Sequence, residues 1–185
     1  MPKPTKTEIT ADIIDRAAAL FARHGFEHTS LQQIADAVNY SKAGLLHHFP
    51  SKLAIYAAAL ETVREHMQSL RANVESLPVG IKRDRAVVED MVQFTYDWPG
   101  ISALSNRIAD SEPDGDPQLV EVGLILYAAL GIDLTAMTEE RVVRVTSAFC
   151  GLGMTAMQAV RVDRKREWRD HIVHAAMNAL GHRSR

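Results

Sequence analysis

Residues 29–52 read TSLQQIADAVNYSKAGLLHHFPSK, and the punctuation of this stretch decides the fold. Thr29-x-x-Gln32 has the form of a capping box, a hydroxyl that opens a helix and an amide that reaches back to it. Leu31, Ile34, Ala35 and Val38 then recur at helical spacing. Asn39 follows where a helix end wants positive φ, which Asn tolerates. Ser41 is placed to cap a second short helix, whose inner side is Leu45 and Phe49 at i,i+4. Pro50-Ser51-Lys52 starts another. Two short helices joined by a tight turn are the sequence form of a helix-turn-helix.

Working outward, residues 1–6 form a basic arm with Lys3 and Lys6, and a helix is expected from about Thr7. Its stripe is Ile13, Ala17 and Phe21, flanked by Ile14, Ala18 and Leu20, and Gly25 ends it. Past Ser51 a long fourth helix carries Leu53, Tyr56, Leu60, Val63, Met67, Leu70 and Val74 on its apolar side. Leu77-Pro78-Val79-Gly80 breaks the pattern. A fifth helix is expected over 83–96, a sixth over 102–110 and a loop over 111–116. Asp116-Pro117 is an acidic N-cap with Pro at the first helical position. The seventh helix, 118–130, is apolar on nearly every side and so expected at the centre of the body. Thr138 opens an eighth that reaches about Val162. A ninth starts near Asp163 with the stripe Trp168, Ile172, Ala176 and Leu180, and ends at Gly181. No β-alternation persists and no internal repeat is present. The pattern predicts an all-α chain of about nine helices. An N-terminal helix-turn-helix head occupies residues 1–54, a C-terminal helical body residues 55–185, and the fourth helix links them.

Composition narrows the function. The 185 residues are 46% hydrophobic and 24% charged, an ordinary globular balance, with a formal net charge of -2. Any positive docking face must therefore be local. The single cysteine, Cys150, excludes an intrachain disulfide. The N-terminus has no apolar core of the kind a signal peptide needs, and the longest uncharged apolar run, 122–132, is too short for a bilayer span of about 20 residues. A cytoplasmic protein with no membrane partner is expected. His24 and His28 stand i,i+4 but are separated by Gly25, and His171 and His174 have no third ligand at a set spacing. No phosphate-binding loop, dinucleotide fingerprint or nucleophile elbow appears, so neither an enzyme nor a cofactor is expected.

The local positive face lies in the opening stretch. From Ala37 to Leu60 there is no Asp or Glu, while Lys42, His47, His48 and Lys52 are present. An acid-free surface is what close docking on a DNA duplex requires, since the duplex carries a negative charge every ~1.7 Å of axis. Residues near the start of the second helix meet base edges in the major groove: here Lys42, Ala43, Gly44, Leu46 and His47. Lys42 suits guanine O6 and N7, and Ala43 or Leu46 a thymine methyl. Gly44 costs that helix about 1 kcal/mol relative to Ala, and either close approach of the backbone to another surface or packing against a neighbour accounts for it. Between residues 108 and 140 there are eight acids and no Lys or Arg, so the body repels a duplex and leaves docking to the head.

With those residues in view, 13–61 resembles the N-terminal domain of the TetR (tetracycline-repressor) family of bacterial regulators. The resemblance rests on A-x-x-L-F-A-x-x-G-F at the end of the first helix, T-S-L-x-x-I-A in the second, and S-K-x-G-L-x-H-H-F-x-S-K. It implies an all-α homodimer whose two heads enter successive major grooves of a double-stranded operator. By position it implies that Tyr40, Lys42, Ala43, Gly44, Leu46 and His47 face bases, and that Thr29, Ser41, His48 and Lys52 hold phosphates. The chain departs from the family pattern at Asn39, commonly Gly, at Gly44, commonly Thr or Ser, and at Leu46, commonly a phosphate-binding Tyr.

For the body, the resemblance implies a pocket for a small effector and a dimer surface. Met91, Phe94, Thr95, Trp98, Asn106, Tyr127, Phe149, Met154 and Gln158 are the candidate lining of a pocket between the fifth and eighth helices. Their Met and aromatic content suits a small apolar or aromatic effector. Gly151, Gly153, Ala156, Trp168, Ile172, Ala176 and Leu180 are the candidate dimer seam, because small residues allow close helix approach. An operator-binding regulator without an effector, controlled by a protein partner, is the alternative.

Overall fold

The computed structural model describes residues 5–111 and 117–182, with the side chains of 108–111 and 117–119 outside the description. Every regular element among the described residues is helical. They are α1 (Lys6–His24), α2 (Leu31–Ala37), α3 (Lys42–His48), α4 (Lys52–Val74), α5 (Ile81–Asp97), α6 (Pro99–Ser111), α7 (Pro117–Ala129), α8 (Glu139–Arg161) and α9 (Lys165–Leu180). A single 3₁₀ turn, Leu134–Ala136, precedes α8 and was not expected from the sequence. The expected loop at 112–116 and the Asp116 cap lie outside the described residues.

Helix starts follow local hydroxyl chemistry. Thr5, Ser30, Ser41, Ser51 and Thr138 each accept a backbone N–H in the first turn of the helix they open. The capping box of α2 is Ser30 with Gln33, one residue later than Thr29 with Gln32. The reason is burial: Thr29 is 2% exposed, and its hydroxyl donates to the Gly25 carbonyl at 2.8 Å inside the head. Asn39 takes the expected positive φ, 58°.

The head packs α1, α2 and α3 around Ile13, Ala17, Phe21, Ile34, Ala35 and Leu45, each at most 1% exposed. Phe21, Phe26 and Tyr56 close its far side as three rings with centroids 5.2–5.6 Å apart. On α4 the buried stripe is Ile55, Ala59, Leu60, Val63, Met67, Leu70 and Val74, whereas Leu53, expected inside, is 63% exposed. α7 departs from the central place its composition suggested. It packs on α4 and α6 with Ile125 and Ala129 buried, and leaves Val120 51% and Leu124 48% exposed.

Head and body meet where α6 lies along α1. Gly100 is required there, because a Cβ on it would sit 1.9 Å from the Asp15 carbonyl oxygen. The Ile101 N–H donates to Asp15 Oδ1 at 3.0 Å, so a carboxylate of the head caps the first turn of α6. One heptad on, Arg107 donates to the Ala22 carbonyl at 2.6 Å. Burial pushes the Asp15 carboxyl above the usual carboxylate range, against the opposing pull of the Ile101 and Gly100 N–H groups.

Candidate nucleic-acid interface

α3 is seven residues long and is fixed from both sides. Ser41 Oγ accepts the Gly44 N–H at 3.0 Å at its start, and Leu45 and Phe49 hold it to the core. A helix has 3.6 residues per turn, so burying Leu45 sorts the remaining side chains by angle. Lys42, Ala43, Leu46 and His47 are exposed together on the opposite side. Gly44 and His48, one turn apart, are half-buried on the flank between that face and the core. Asp36, the nearest acid before this stretch, accepts from Gln32 Nε2 at 2.7 Å on α2.

Tyr40 occupies the flank. A Cβ on Gly44 would lie 3.3 Å from Tyr40 Cδ1 and 3.3 Å from Ser41 Oγ, a contact tighter than side chains ordinarily make. The Tyr40 ring also meets the His48 ring edge-on, centroids 5.6 Å apart at 85°. The space beside Gly44 is thus filled by this chain's own tyrosine. His47 stands 5.9 Å from His48, ring to ring, on the exposed side.

The remaining residues expected to touch DNA divide. Ser41 is exposed while its hydroxyl caps α3. Thr29 lies inside the head. Lys52, at the start of α4, donates to the Phe26 carbonyl at 2.6 Å and sits 4.2 Å over the Phe26 ring. A cation at a helix N-terminus opposes the helix dipole, and here the ammonium has an internal partner.

The body residues scatter. Phe94 and Thr95 are buried, Met91, Trp98, Tyr127 and Phe149 are half-buried, and Asn106, Met154 and Gln158 are exposed, Met154 at 73%. Two surface hollows are lined by none of the nine. One runs across α8 and α9, lined by Thr155, Trp168, His171, Ile172 and Ala175. The other lies between α4 and α7, lined by Gln68, Arg71, Ala72, Glu75, Glu121 and Ile125. Of the seven seam residues, Gly153, Ala156, Ile172, Ala176 and Leu180 are buried within the single chain, and a Cβ on Gly153 would lie 3.2 Å from Asn106 Nδ2. Gly151 and Trp168 remain on the surface.

Two polar clusters escaped the sequence reading. His66 Nε2 of α4 lies 2.7 Å from Asp90 Oδ1 of α5, and its ring stacks on Phe94 at 4.2 Å. Asp84, 2% exposed, holds Arg141 at 3.2 Å and His182 at 2.8 Å through Oδ2, joining α5, α8 and the end of α9. The available signal was an acid on the apolar stripe of α5, one turn before Val87 and Val88.

Residues 13–59 match the family described as bacterial regulatory proteins, tetR family. Over 117 residues the chain is 27% identical to an HTH-type transcriptional repressor of Mycobacterium tuberculosis, covering 62% of this chain and 59% of that protein. Over 86 residues it is 38% identical to IcaR, the HTH-type negative transcriptional regulator of the icaADBC biofilm operon in Staphylococcus aureus, covering 46% of this chain and 43% of that protein. The matched part thus spans about half the length of these relatives. The crystal structure of Mycobacterium smegmatis AmtR shares the fold, with a TM-score of 0.55, 19% identity, and coverage of 100% of this chain and 90% of that one.

Proposed function

Because the chain belongs to the TetR family of bacterial transcriptional regulators, we propose that it represses transcription by docking α3 in the major groove of an operator. The observation that carries this reading is the exposed, acid-free set Lys42, Ala43, Leu46 and His47 on a helix locked by Ser41, Leu45 and Phe49. Lys42 donates to a guanine edge or a phosphate, Ala43 and Leu46 meet thymine methyls, and His47 reaches a base or the backbone. In this reading residues 1–54 form the docking head, residues 55–185 the controlling body, and the protein works in the cytoplasm.

One head presents one short reading helix, and a homodimer on a palindrome doubles the contact. Two recognition helices would then stand about 34–36 Å apart, one turn of DNA. Support for a dimer is the outer surface of α8 and α9, where Val143, Met154 and Trp168 stay exposed and an apolar hollow runs across the two helices. A small effector that favours another body geometry would release the operator by shifting α6 against α1. It can shift the equilibrium only by its differential affinity for the two states. The alternative is an operator-binding regulator controlled by a protein partner.

The decisive experiment is selection of a duplex from a randomised pool by the wild-type protein, followed by titration of Lys42→Ala and His47→Ala. The double variant is expected to lose operator binding with thermal stability unchanged. Lys42→Ala should reduce the dependence of affinity on salt by about one counterion. Operator binding that survives the double variant would overturn the assignment. A thermal-shift screen of small molecules separates the effector reading from the partner reading.

A further inference from the structure

The flank of α3 holds a tyrosine whose placement the docking face does not explain. Tyr40 stands before the Ser41 cap, outside α3, and its ring lies against Gly44 and His48, one turn apart on the helix. The ring is half-buried, filling the space beside Gly44 and meeting the His48 ring. Any Cβ at Gly44 would press on its Cδ1 at 3.3 Å, and the His48 ring closes the other end at 5.6 Å. The ring therefore has a seat, while its hydroxyl makes no hydrogen bond among the described residues. A half-buried tyrosine ordinarily finds a partner for its hydroxyl at the wet end of the ring. When a recognition helix lies in the major groove, its flanks face the phosphate walls and its outer face the base edges.

We propose that Gly44 and His48 seat the Tyr40 ring and that the seated phenol donates a hydrogen bond to an operator phosphate beside α3. The role of Gly44 is then to position Tyr40, and that of Tyr40 is to register the helix on the backbone. This rests on the reading of α3 as the DNA-docking helix. It moves Tyr40 from a base contact to a backbone contact, and it gives the missing side chain at Gly44 an intramolecular purpose. A seated ring has already lost its rotamer freedom, so the phosphate contact costs little further ordering.

The test uses the full-length protein and the duplex it selects from a randomised pool. Tyr40→Phe keeps the ring and removes the donor. It is expected to weaken binding about tenfold, as loss of a hydrogen bond to a charged acceptor does. The salt slope should not change, since a neutral donor releases no counterion. Ethylation of one phosphate per half-site should hinder the wild type and have no effect on Tyr40→Phe. Gly44→Ala should weaken wild-type binding several-fold and have no further effect in the Tyr40→Phe background. If Gly44→Ala lowers helix content, the same cycle with His48→Ala tests the seat from its other wall. Equal affinity and an unchanged ethylation pattern in Tyr40→Phe overturn the phosphate contact. A Gly44→Ala loss that persists in full without the hydroxyl overturns the seat. A wild type that selects no duplex overturns the DNA-docking reading itself, and this proposal falls with it.

Discussion

In the head, most side-chain bonds close over three or four residues, as for Ser30 with Gln33, Ser41 with Gly44, Ser51 with Ala54 and Thr29 with Gly25, with Lys52 to Phe26 and Asp15 to Ile101 the longer ones. In the body, beside local pairs such as Arg64 with Glu61 and Arg144 with Glu140, several cross the chain. Arg83 donates to the Ala129 carbonyl 46 residues away at 2.6 Å, and Tyr96 and Lys165 exchange bonds over 69 residues. His182 meets Asp84 over 98. The head is thus assembled from pieces whose ends are specified by their own residues, as a rigid reading surface needs. The body is tied by a few buried charges joining helices that have no local reason to meet. Damage to a head bond should stay local, whereas damage to a body bond should spread.

The strongest way to break that contrast is at Asp84. Its carboxylate is buried, and Arg141 both pairs with it and donates to the Leu180 carbonyl at 3.1 Å. Arg141→Met leaves the acid with His182 alone. Removing one member of a buried pair typically costs about 3–5 kcal/mol, so the urea midpoint should fall sharply. Adding Asp84→Leu should recover much of the loss, because the stranded charge is then gone. If Arg141→Met unfolds like the wild type, the body is not held in this way.

Gly100→Ala ranks next and tests whether head and body are separable. Its Cβ would collide with the α1 backbone at Asp15, where no flexible side chain can yield. Overpacking of this kind costs about 1–3 kcal/mol. Displacing α1 should also weaken operator binding, although residue 100 belongs to the body. A loss of stability with full operator affinity would show that α6 does not position the head.

The contrast also explains what was legible in the sequence. Ser41, Leu45 and Phe49 fix α3 by spacing alone, and the acid-free stretch needs only counting, so the helix proposed to dock could be read directly. Helix ends such as Thr138 and Gly181 were equally plain. The register of α2 was not, because Thr29-x-x-Gln32 and Ser30-x-x-Gln33 both fit a capping box. Only the burial of Thr29 chooses between them. The body was legible as helices and illegible as an arrangement. The apolar surround of α7 suggested a central helix, yet the described surface leaves Val120 and Leu124 open. The small residues of α8 and α9 suggested a seam between subunits, yet most of them are spent packing the two helices within one chain. Periodicity says which face is apolar and nothing about which partner covers it.

The choice of register gives a smaller, sharper test on the head side. Ser30→Ala removes a real cap and should cost about 1 kcal/mol. Gln32→Ala loses only an exposed bond to Asp36 and should cost a few tenths. Thermal unfolding that shows the reverse order would restore the capping box at Thr29 and Gln32.

The smallest effect is expected at Asp15, whose carboxylate reaches from the head to the Ile101 N–H over 86 residues. Its carboxyl is pushed above the ordinary value of 3.8, chiefly by burial. The folded state therefore binds this proton more tightly than the unfolded state does. By linkage, the contribution of Asp15 to stability is fully present below the unfolded value and is lost as pH rises through the folded one. Asp15→Asn keeps an oxygen to accept the Ile101 N–H and removes the titration. The variant should match the wild type near pH 3. It should then gain on the wild type as pH climbs through the window just above 3.8, and hold that lead at neutral pH. Urea midpoints measured for both proteins across that range check the sign. A wild type that instead gains on Asp15→Asn as pH rises would mean that the N–H groups of α6 outweigh burial, and that the carboxylate is a stabilising cap between head and body.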